Sequence, residues 1–263
     1  MLLDIHDLRL SFVAGTQPTP ILHGIDVRVA AGELVGLVGE SGSGKSTTVR
    51  AALRLYGDEA AIDGSIRIDG HEMVGADAVT LHRVRADIVS LVQQDPRGAL
   101  NPVRRIGDAL AERLVRVHGM RRKDAERRIV NLLGEVGLTH PARRMRQYPH
   151  ELSGGMLQRV VIAGALSTDP KLLLADEATS ALDVTTQAEI IAIFQRQIRE
   201  RGLGMLFITH DLHLAGAVCD RVHVLRSGEI VETLKGADLF DGAEHPYTRS
   251  LIAAAPALER RAS

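Results

Sequence analysis

The sequence contains a single cysteine, Cys219, and no tryptophan. One cysteine excludes an internal disulfide framework or a cysteine-built metal site, and it suits a reducing compartment. Aromatic residues make up only 3% of the 263 residues, which disfavours a stacking platform for single-stranded nucleic acid. The formal net charge is −1, so no bulk charge favours nucleic acid or an acidic membrane surface. With 45% hydrophobic and 25% charged residues, the composition is typical of an ordinary globular protein.

Long apolar runs are also missing. No window approaches ~18 uninterrupted apolar residues, so no segment is predicted to span a bilayer. The first residues, MLLDIHDLRLSF, carry acids and bases where a signal peptide needs an apolar core. We therefore expect any membrane role to come through a partner protein.

Strand and helix patterns alternate at both ends of the chain, which predicts an α/β fold. Strands are predicted over 3–12, 21–30, 34–39, 65–70, 88–93, 171–176 and 204–210, and a hairpin over 221–232 turns at Ser227-Gly228. Helices are predicted over 46–57, the segment after Lys45 that ends at Gly57, and over 185–202.

The segment 95–169 has a different character, with helical spacing and no clear strand. It predicts a helical subdomain inserted into the α/β body. Arginine is frequent between residues 104 and 146 and could form a nucleic-acid patch. Acidic residues are interleaved at helical spacing, which favours solvated helix faces instead.

The stretch GESGSGKS, residues 39–46, matches G-x-x-x-x-G-K-[ST] and lies between a predicted buried strand and a predicted helix. Backbone N–H groups of such a loop close around a β-phosphate, and the helix N-terminus adds positive potential. Lys45 would reach the β- and γ-phosphate oxygens, and the Ser46 hydroxyl would ligate Mg²⁺. A glycine-rich turn that binds nothing is the alternative. The predicted nucleotide-binding residues here are Gly39, Glu40, Ser41, Gly42, Ser43, Gly44, Lys45, Ser46 and Thr47.

Two acidic residues end the apolar run LLLADE. Asp176 stands where a carboxylate beside a phosphate loop holds Mg²⁺. Glu177 would point elsewhere and could accept a proton from, or orient, the attacking water. The alternative is a helix N-cap without chemistry.

The stretch LSGGM is a second glycine turn before an apolar helical run. It comprises Leu152, Ser153, Gly154, Gly155 and Met156. Such a turn caps a helix and aims backbone N–H groups and the helix dipole outward. The alternative is a cap that only turns the chain.

In this order, GESGSGKS, LSGGM, LLLADEATSALD and ITHD resemble the ATP-binding cassette ATPases over essentially residues 3–256. The stretches QDPRGALNP, SALDVTTQAEI and HPYTRSLIAAAP resemble the peptide/nickel importer group. The resemblance implies one domain over 1–263: a phosphate-loop core with an N-terminal antiparallel β subdomain in 1–94 and 170–235, a helical subdomain in 95–169 carrying LSGGM, and a helical tail in 236–263.

Further roles follow from the resemblance alone. Gln94 falls at the position that senses Mg²⁺ and the attacking water, with Gln93 as the competing choice. His210 matches a histidine that contacts the γ-phosphate, and Asp183 a loop that crosses to the partner cassette. Phe12 is placed like an aromatic that stacks on adenine, although a core aromatic is the alternative. The catalytic set is then Glu177, His210, Gln94 and Lys45, and the Mg²⁺ set Ser46, Gln94 and Asp176.

The resemblance also implies partners and a place of action. Two cassettes, identical or related, sandwich ATP with Mg²⁺ so that each LSGGM turn faces the ATP of the other chain. Two permease subunits, and indirectly a solute-binding protein, are expected at the cytoplasmic face of the membrane, with no nucleic acid. Export, DNA repair and ribosome-associated work are the alternatives to import of a peptide, nickel or similar solute.

The sequence departs from the family pattern in two places. Ala178 stands where the family usually has proline after the catalytic glutamate, which could loosen that turn without removing a reacting group. Many members of the peptide group carry a cysteine-bearing extension after the HPYT segment. No cysteine follows HPYT in this sequence, so no iron–sulfur site is inferred.

Overall fold

A computed structural model describes residues 1–14, 17–180 and 182–255. Its first third contains, in chain order, β1 (Leu3–Ala14), β2 (Gln17–Val29), β3 (Leu34–Val38), α1 (Lys45–Ala52), β4 (Ala60–Ile68), β5 (His71–Glu72), α2 (Ala78–Arg83) and β6 (Val89–Val92). A π-helical segment, Val84–Ile88, joins α2 to β6.

The middle third is helical, and strands return after it. The elements are α3 (Ile106–Arg116), α4 (Arg122–Glu135), α5 (Pro141–Arg144), α6 (Gly154–Leu166), β7 (Leu172–Asp176), α7 (Val184–Arg201), β8 (Gly204–Ile208), α8 (Leu212–Val218), β9 (Arg221–Arg226), β10 (Glu229–Lys235) and α9 (Pro246–Ala254). Short 3₁₀ turns occur at Pro149–Glu151 and Gly236–Asp238.

Two sheets organise these elements within the described residues. Four strands pair antiparallel in the order β2-β1-β4-β5. The other sheet has the order β10-β9-β3-β8-β7-β6, in which β10 is antiparallel to β9 and the remaining neighbours are parallel. The predicted α/β fold class, with an N-terminal antiparallel sheet and an inserted helical segment, is confirmed.

The parallel strands are buried on both faces, which explains their unbroken apolar sequences. In β3, Val35 and Leu37 pack towards the antiparallel sheet and α1, whereas Leu34 and Val38 pack into a second core with the helices of the middle third. β7 and β8 alternate between the same two cores. The strands are thereby fixed between two apolar layers, and their carboxyl ends meet at one edge of the sheet.

The first helix ends earlier than its sequence predicts. The prediction that it runs to Gly57 is wrong, because α1 ends at Ala52. Arg54 adopts a left-handed conformation with φ 52°, and its N–H donates to the Ala51 carbonyl. The next N–H, that of Leu55, donates to the Arg50 carbonyl. These two bonds satisfy carbonyl groups of the last turn and end the helix there.

The single cysteine is buried beneath β3. A Cβ on Gly36 would lie 3.0 Å from the Cys219 sulfur, so the glycine leaves room for it. Burial raises the pKa of the Cys219 thiol to about 12, which keeps it protonated and unreactive. Among the described residues, no helix is both long and apolar enough to cross a bilayer.

Candidate functional site

The glycine-rich loop 39–46 leaves the carboxyl end of β3 and leads into α1. Gly44 caps the helix in a left-handed conformation, with φ 109°. Gly39 has φ 150°, and a Cβ there would lie 2.1 Å from the Leu225 carbonyl oxygen. Only glycine fits at this point, since any side chain would collide with the backbone of β9. At Gly42, φ is 81° and no described atom would lie within 4 Å of an added Cβ, so the loop is open there.

Lys45 is folded back into the loop that carries it. Its Nζ donates to the carbonyl oxygens of Gly39 at 2.8 Å and Glu40 at 2.7 Å, and lies 3.4 Å from Ser43 Oγ. Burial lowers the pKa of Lys45, and the nearby carboxylates of Glu177 and Asp176 oppose that shift. Two carbonyl oxygens of the loop thus hold the Lys45 ammonium, and phosphate oxygens could take their place.

Asp176 ends β7 beside the start of α1. The Ser46 hydroxyl donates to Asp176 Oδ1 at 2.8 Å. Burial raises the pKa of the Asp176 carboxyl, while the Ser46 hydrogen bond and the charge of Arg50 oppose the rise. Two oxygen ligands of the kind that Mg²⁺ prefers therefore lie side by side, so the residues present fit a magnesium ion.

Glu177 follows Asp176 directly, and its backbone is in the left-handed region, with φ 48°. Its N–H donates to the Ile208 carbonyl at 3.1 Å, which keeps this turn attached to β8. Its Oε2 accepts a hydrogen bond from Gln94 Nε2 at 2.9 Å and lies 3.6 Å from His210 Nδ1. A non-glycine residue in this conformation costs on the order of 1–3 kcal/mol, and such strain clusters at functional sites.

These groups surround one cavity of about 420 Å³ at the carboxyl edge of the sheet. It is lined by Ser41, Gly42, Gly44, Lys45, Ser46, Thr47, Gln94, Glu177 and His210. Asp176 joins the set through Ser46. Of the two candidate glutamines, Gln94 lines the cavity and bonds Glu177. The ends of β3, β6, β7 and β8 thus bring together most of the predicted catalytic and phosphate-binding residues.

Other predicted residues lie outside this cavity lining. Phe12 packs edge to face on Tyr56, with ring centroids 5.3 Å apart, and it contacts the core between the sheets. Ser43 is buried within the loop. Stacking of Phe12 on adenine stays a prediction.

The LSGGM turn also lies apart from the cavity, on the exposed start of α6. Ser153 caps α6, its Oγ accepting the Met156 N–H at 3.4 Å. Gly154 is exposed with open space around it, and Gly155 approaches Thr186 near the start of α7. Leu152 and Met156 pack partly buried on the adjoining core. The capping geometry is present at this exposed helix start, where the first backbone N–H groups have no partner carbonyl within the helix.

Asp183 caps the neighbouring helix α7. Its carboxylate accepts the Thr186 N–H at 3.0 Å and the Thr186 hydroxyl at 2.8 Å. The Thr186 N–H lowers the pKa of this carboxyl. Asp183 is exposed beside the LSGGM turn, so both features belong to one surface.

One residue at the site was not foreseen from the sequence. The Tyr247 hydroxyl, on α9, accepts the Glu40 N–H at 3.2 Å. The stretch HPYT marked only a resemblance, and no local pattern connects it to a loop about two hundred residues earlier.

The family model described as ABC transporter matches residues 22–180, more than half of the chain. The chain belongs to the ABC transporter family. It is 43% identical over 260 residues to the oligopeptide transport ATP-binding protein OppD of Mycobacterium tuberculosis, covering 98% of this chain and 42% of that protein. It is 40% identical over 259 residues to OppD of Salmonella typhimurium, covering 98% of this chain and 77% of that protein.

The chain therefore spans less than half the length of the mycobacterial relative. Among solved structures, it resembles the ATP-binding cassette MJ0796, described as a dimer in a post-hydrolysis state bound to ADP and Pi. The TM-score is 0.80 at 28% identity, covering 89% of this chain and 98% of that one. This ABC cassette likeness agrees with the resemblance inferred from the motifs.

Proposed function

We propose that this chain is the ATP-hydrolysing subunit of an ABC importer for peptides, whose path through the membrane is formed by separate permease subunits. The proposal rests on one observation. Gln94, Glu177 and His210 line the same cavity as Lys45 and Ser46 of the phosphate loop. A phosphate loop alone would bind a nucleotide. A carboxylate facing the loop from another strand adds a group that can act on water.

The loop residues act by positioning and by charge neutralisation. Backbone N–H groups of the loop and the start of α1 hold the phosphates, and Lys45 exchanges its carbonyl partners for phosphate oxygens. Ser46 and Asp176, with Gln94 nearby, would hold Mg²⁺. When bound, that ion neutralises negative charge on the phosphates. Glu177 orients the attacking water and accepts its proton, and His210 contacts the γ-phosphate side of the cavity.

The site is completed by a second cassette. In this arrangement the LSGGM turn of one chain faces the ATP held by the other, and Asp183 lies at the junction. The MJ0796 cassette structures are described as dimeric, which supports such a pairing. The division into a core of 1–94 and 170–235, a helical subdomain of 95–169 and a tail of 236–263 is part of this proposal, with the helical subdomain meeting the permeases.

Peptide is the proposed solute because the relatives are named for oligopeptide transport. The proposed location is the cytoplasmic face of the cell membrane, held there by the permeases. A solute-binding protein would act on the permeases and not on this chain directly.

Two measurements test the proposal. The purified chain is expected to release phosphate from ATP only when Mg²⁺ is present. Cells that lack this chain are expected to lose uptake of labelled oligopeptides, with uptake restored by the intact gene. Normal peptide uptake with loss of nickel uptake would overturn the proposal that the solute is a peptide. Recovery of the native protein with ribosomes or DNA, and with no membrane protein, would overturn the transport role.

A further inference from the structure

The C-terminal helix α9 contacts the phosphate loop through one side chain. Tyr247 lies in the first turn of α9 and is 7% exposed. Its hydroxyl oxygen accepts the N–H of Glu40 at 3.2 Å. This N–H belongs to the loop itself, so a helix near the end of the described chain bonds the segment that would hold the nucleotide.

The peptide bond that Tyr247 contacts is also one that holds Lys45. The N–H of Glu40 and the carbonyl of Gly39 belong to a single planar peptide unit and point in opposite directions. Lys45 Nζ donates to the Gly39 carbonyl at 2.8 Å on one side of this unit, and Tyr247 accepts from the other side. Because hydrogen bonds in series polarise one another, each contact strengthens the other.

Gly39 leaves this peptide unit dependent on such contacts. With φ 150° and no Cβ, Gly39 sets little local barrier to rotation of the unit. Its hydrogen-bond partners therefore contribute strongly to its orientation.

Tyr247 is itself held firmly. The Arg226 guanidinium lies over its ring, 4.9 Å from the centroid. Glu232, on β10, accepts the N–H groups of Glu244 at 2.7 Å and His245 at 3.2 Å, which fixes the chain just before α9. His245 Nδ1 then accepts the Tyr247 N–H at 3.2 Å as the helix cap. A side chain fixed from β9, β10 and α9 can transmit that rigidity to the loop.

We infer that Tyr247 is a positioning residue for nucleotide binding: it fixes the Gly39–Glu40 peptide unit and, through its carbonyl, the resting place of Lys45. The inference rests on the proposed nucleotide site. Without the hydroxyl, the Gly39–Glu40 peptide unit samples other orientations, and ATP binds only the fraction of molecules in which the unit has the binding-competent orientation. Apparent affinity falls in proportion to the competent fraction, while the bound complex turns over as before.

Tyr247→Phe tests this, because it removes only the hydroxyl and keeps the ring beneath Arg226. We expect the Kd and KM for ATP to rise about threefold to tenfold, the range of one net hydrogen bond, with kcat within twofold of the wild type. The Glu40 amide resonance should shift in a ¹⁵N-resolved spectrum of the free chain. Tyr148→Phe is the matched control, since it removes the same hydroxyl from a ring that stacks on His150 in the helical segment.

A second variant, Glu232→Ala, removes the oxygen that accepts the Glu244 and His245 N–H groups and so loosens the start of α9 without touching the loop. We expect it to give a smaller rise in the Kd for ATP. Unchanged ATP affinity in both Tyr247→Phe and Glu232→Ala would overturn the inference, as would an equal loss in Tyr148→Phe. A wild-type chain that fails to bind ATP would instead overturn the proposed function, so the two failures are distinguishable.

Discussion

At the scale of single residues, two adjacent carboxylates have separate surroundings because of one backbone angle. Asp176 is in strand conformation and accepts from Ser46, whereas Glu177 has φ 48° and accepts from Gln94. Extended backbone at both positions would send the two side chains to opposite faces of the sheet. The left-handed turn instead keeps both at the carboxyl edge, where one can hold a cation and the other can face water.

Glu177→Gln should separate binding from hydrolysis. The amide cannot accept a proton from water, so we expect turnover to fall by about 10²- to 10⁴-fold, the typical contribution of a general base. The Kd for ATP should stay close to the wild-type value, because Lys45 and the loop are untouched. Phosphate release and equilibrium nucleotide binding measure the two quantities. Turnover near the wild-type rate would show that Glu177 is not the base.

His223 predicts a pH dependence of stability that is independent of the site. It is buried in β9, its Nδ1 bonds Thr233 Oγ1 at 2.8 Å, and burial lowers its pKa from 6.5 to about 4. Between these values the unfolded chain binds a proton that the folded chain does not, so stability falls as pH falls from 6.5 towards 4. The pKa difference corresponds to about 3 kcal/mol of unfolding free energy.

His223→Asn keeps a polar atom near Thr233 and removes the titration. Denaturant unfolding of both chains at pH 7 and pH 4 is the measurement. The loss on acidification should be smaller in the variant by about 3 kcal/mol. If both chains lost the same unfolding free energy between pH 7 and pH 4, His223 would not be the source of the pH dependence.

At the scale of elements, the two glycines of the loop face different surroundings. A Cβ at Gly39 meets the Leu225 carbonyl at 2.1 Å, whereas a Cβ at Gly42 meets nothing within 4 Å. Both positions have positive φ, so both substitutions carry backbone strain.

The pair Gly39→Ala and Gly42→Ala therefore separates collision from strain. We expect Gly42→Ala to cost about 1 kcal/mol and Gly39→Ala more than about 3 kcal/mol, because β9 must also move. Thermal or denaturant unfolding of the chain without nucleotide measures both. Equal costs would mean that the loop relaxes away from β9.

The elements differ in how far sequence predicts them. Buried parallel strands such as β3 and β7 are visible as apolar runs bounded by turn residues, and the β9–β10 hairpin is visible at Ser227-Gly228, whose φ values of 47° and 81° suit a tight turn. The end of α1 cannot be predicted from the sequence, because it depends on Arg54 adopting the left-handed backbone conformation, which arginine does not favour. The short helices α2, α5 and α8 are also missed, since one or two turns leave little periodicity to detect.

The site shows the same division. The loop, Asp176 and Glu177 are predictable because parallel strands deliver their ends to one edge. Which glutamine faces Glu177, and that Tyr247 bonds the loop, depend on packing between distant segments. No periodicity or motif encodes those contacts.

At the scale of the whole molecule, the LSGGM turn predicts an active site shared by two chains. Ser153 lies on an exposed surface and does not line the phosphate cavity of its own chain. Ser153→Arg is therefore expected to leave ATP binding by the altered chain intact and to impair hydrolysis at the site completed on its partner.

Mixing two inactive variants makes this test sharper. In a dimer of this chain, Ser153→Arg paired with Lys45→Ala leaves one intact loop opposite one intact turn, so mixing should restore part of the activity. Phosphate release from each variant alone and from the mixture is the measurement. Wild-type hydrolysis by Ser153→Arg alone, or loss of its ATP binding, would contradict the shared site.

The position of β3 has a consequence for how the protein is made. Its sheet neighbours are β8 and β9, with Leu34 beside Met205 and Val38 beside Val224. The strand that carries the phosphate loop thus lacks its neighbours until most of the chain has been synthesised. At a synthesis rate of about 5–20 residues per second, this delay is roughly 10–40 s. During that time an apolar strand with unpaired edges is exposed on the nascent chain, where chaperones would be expected to bind.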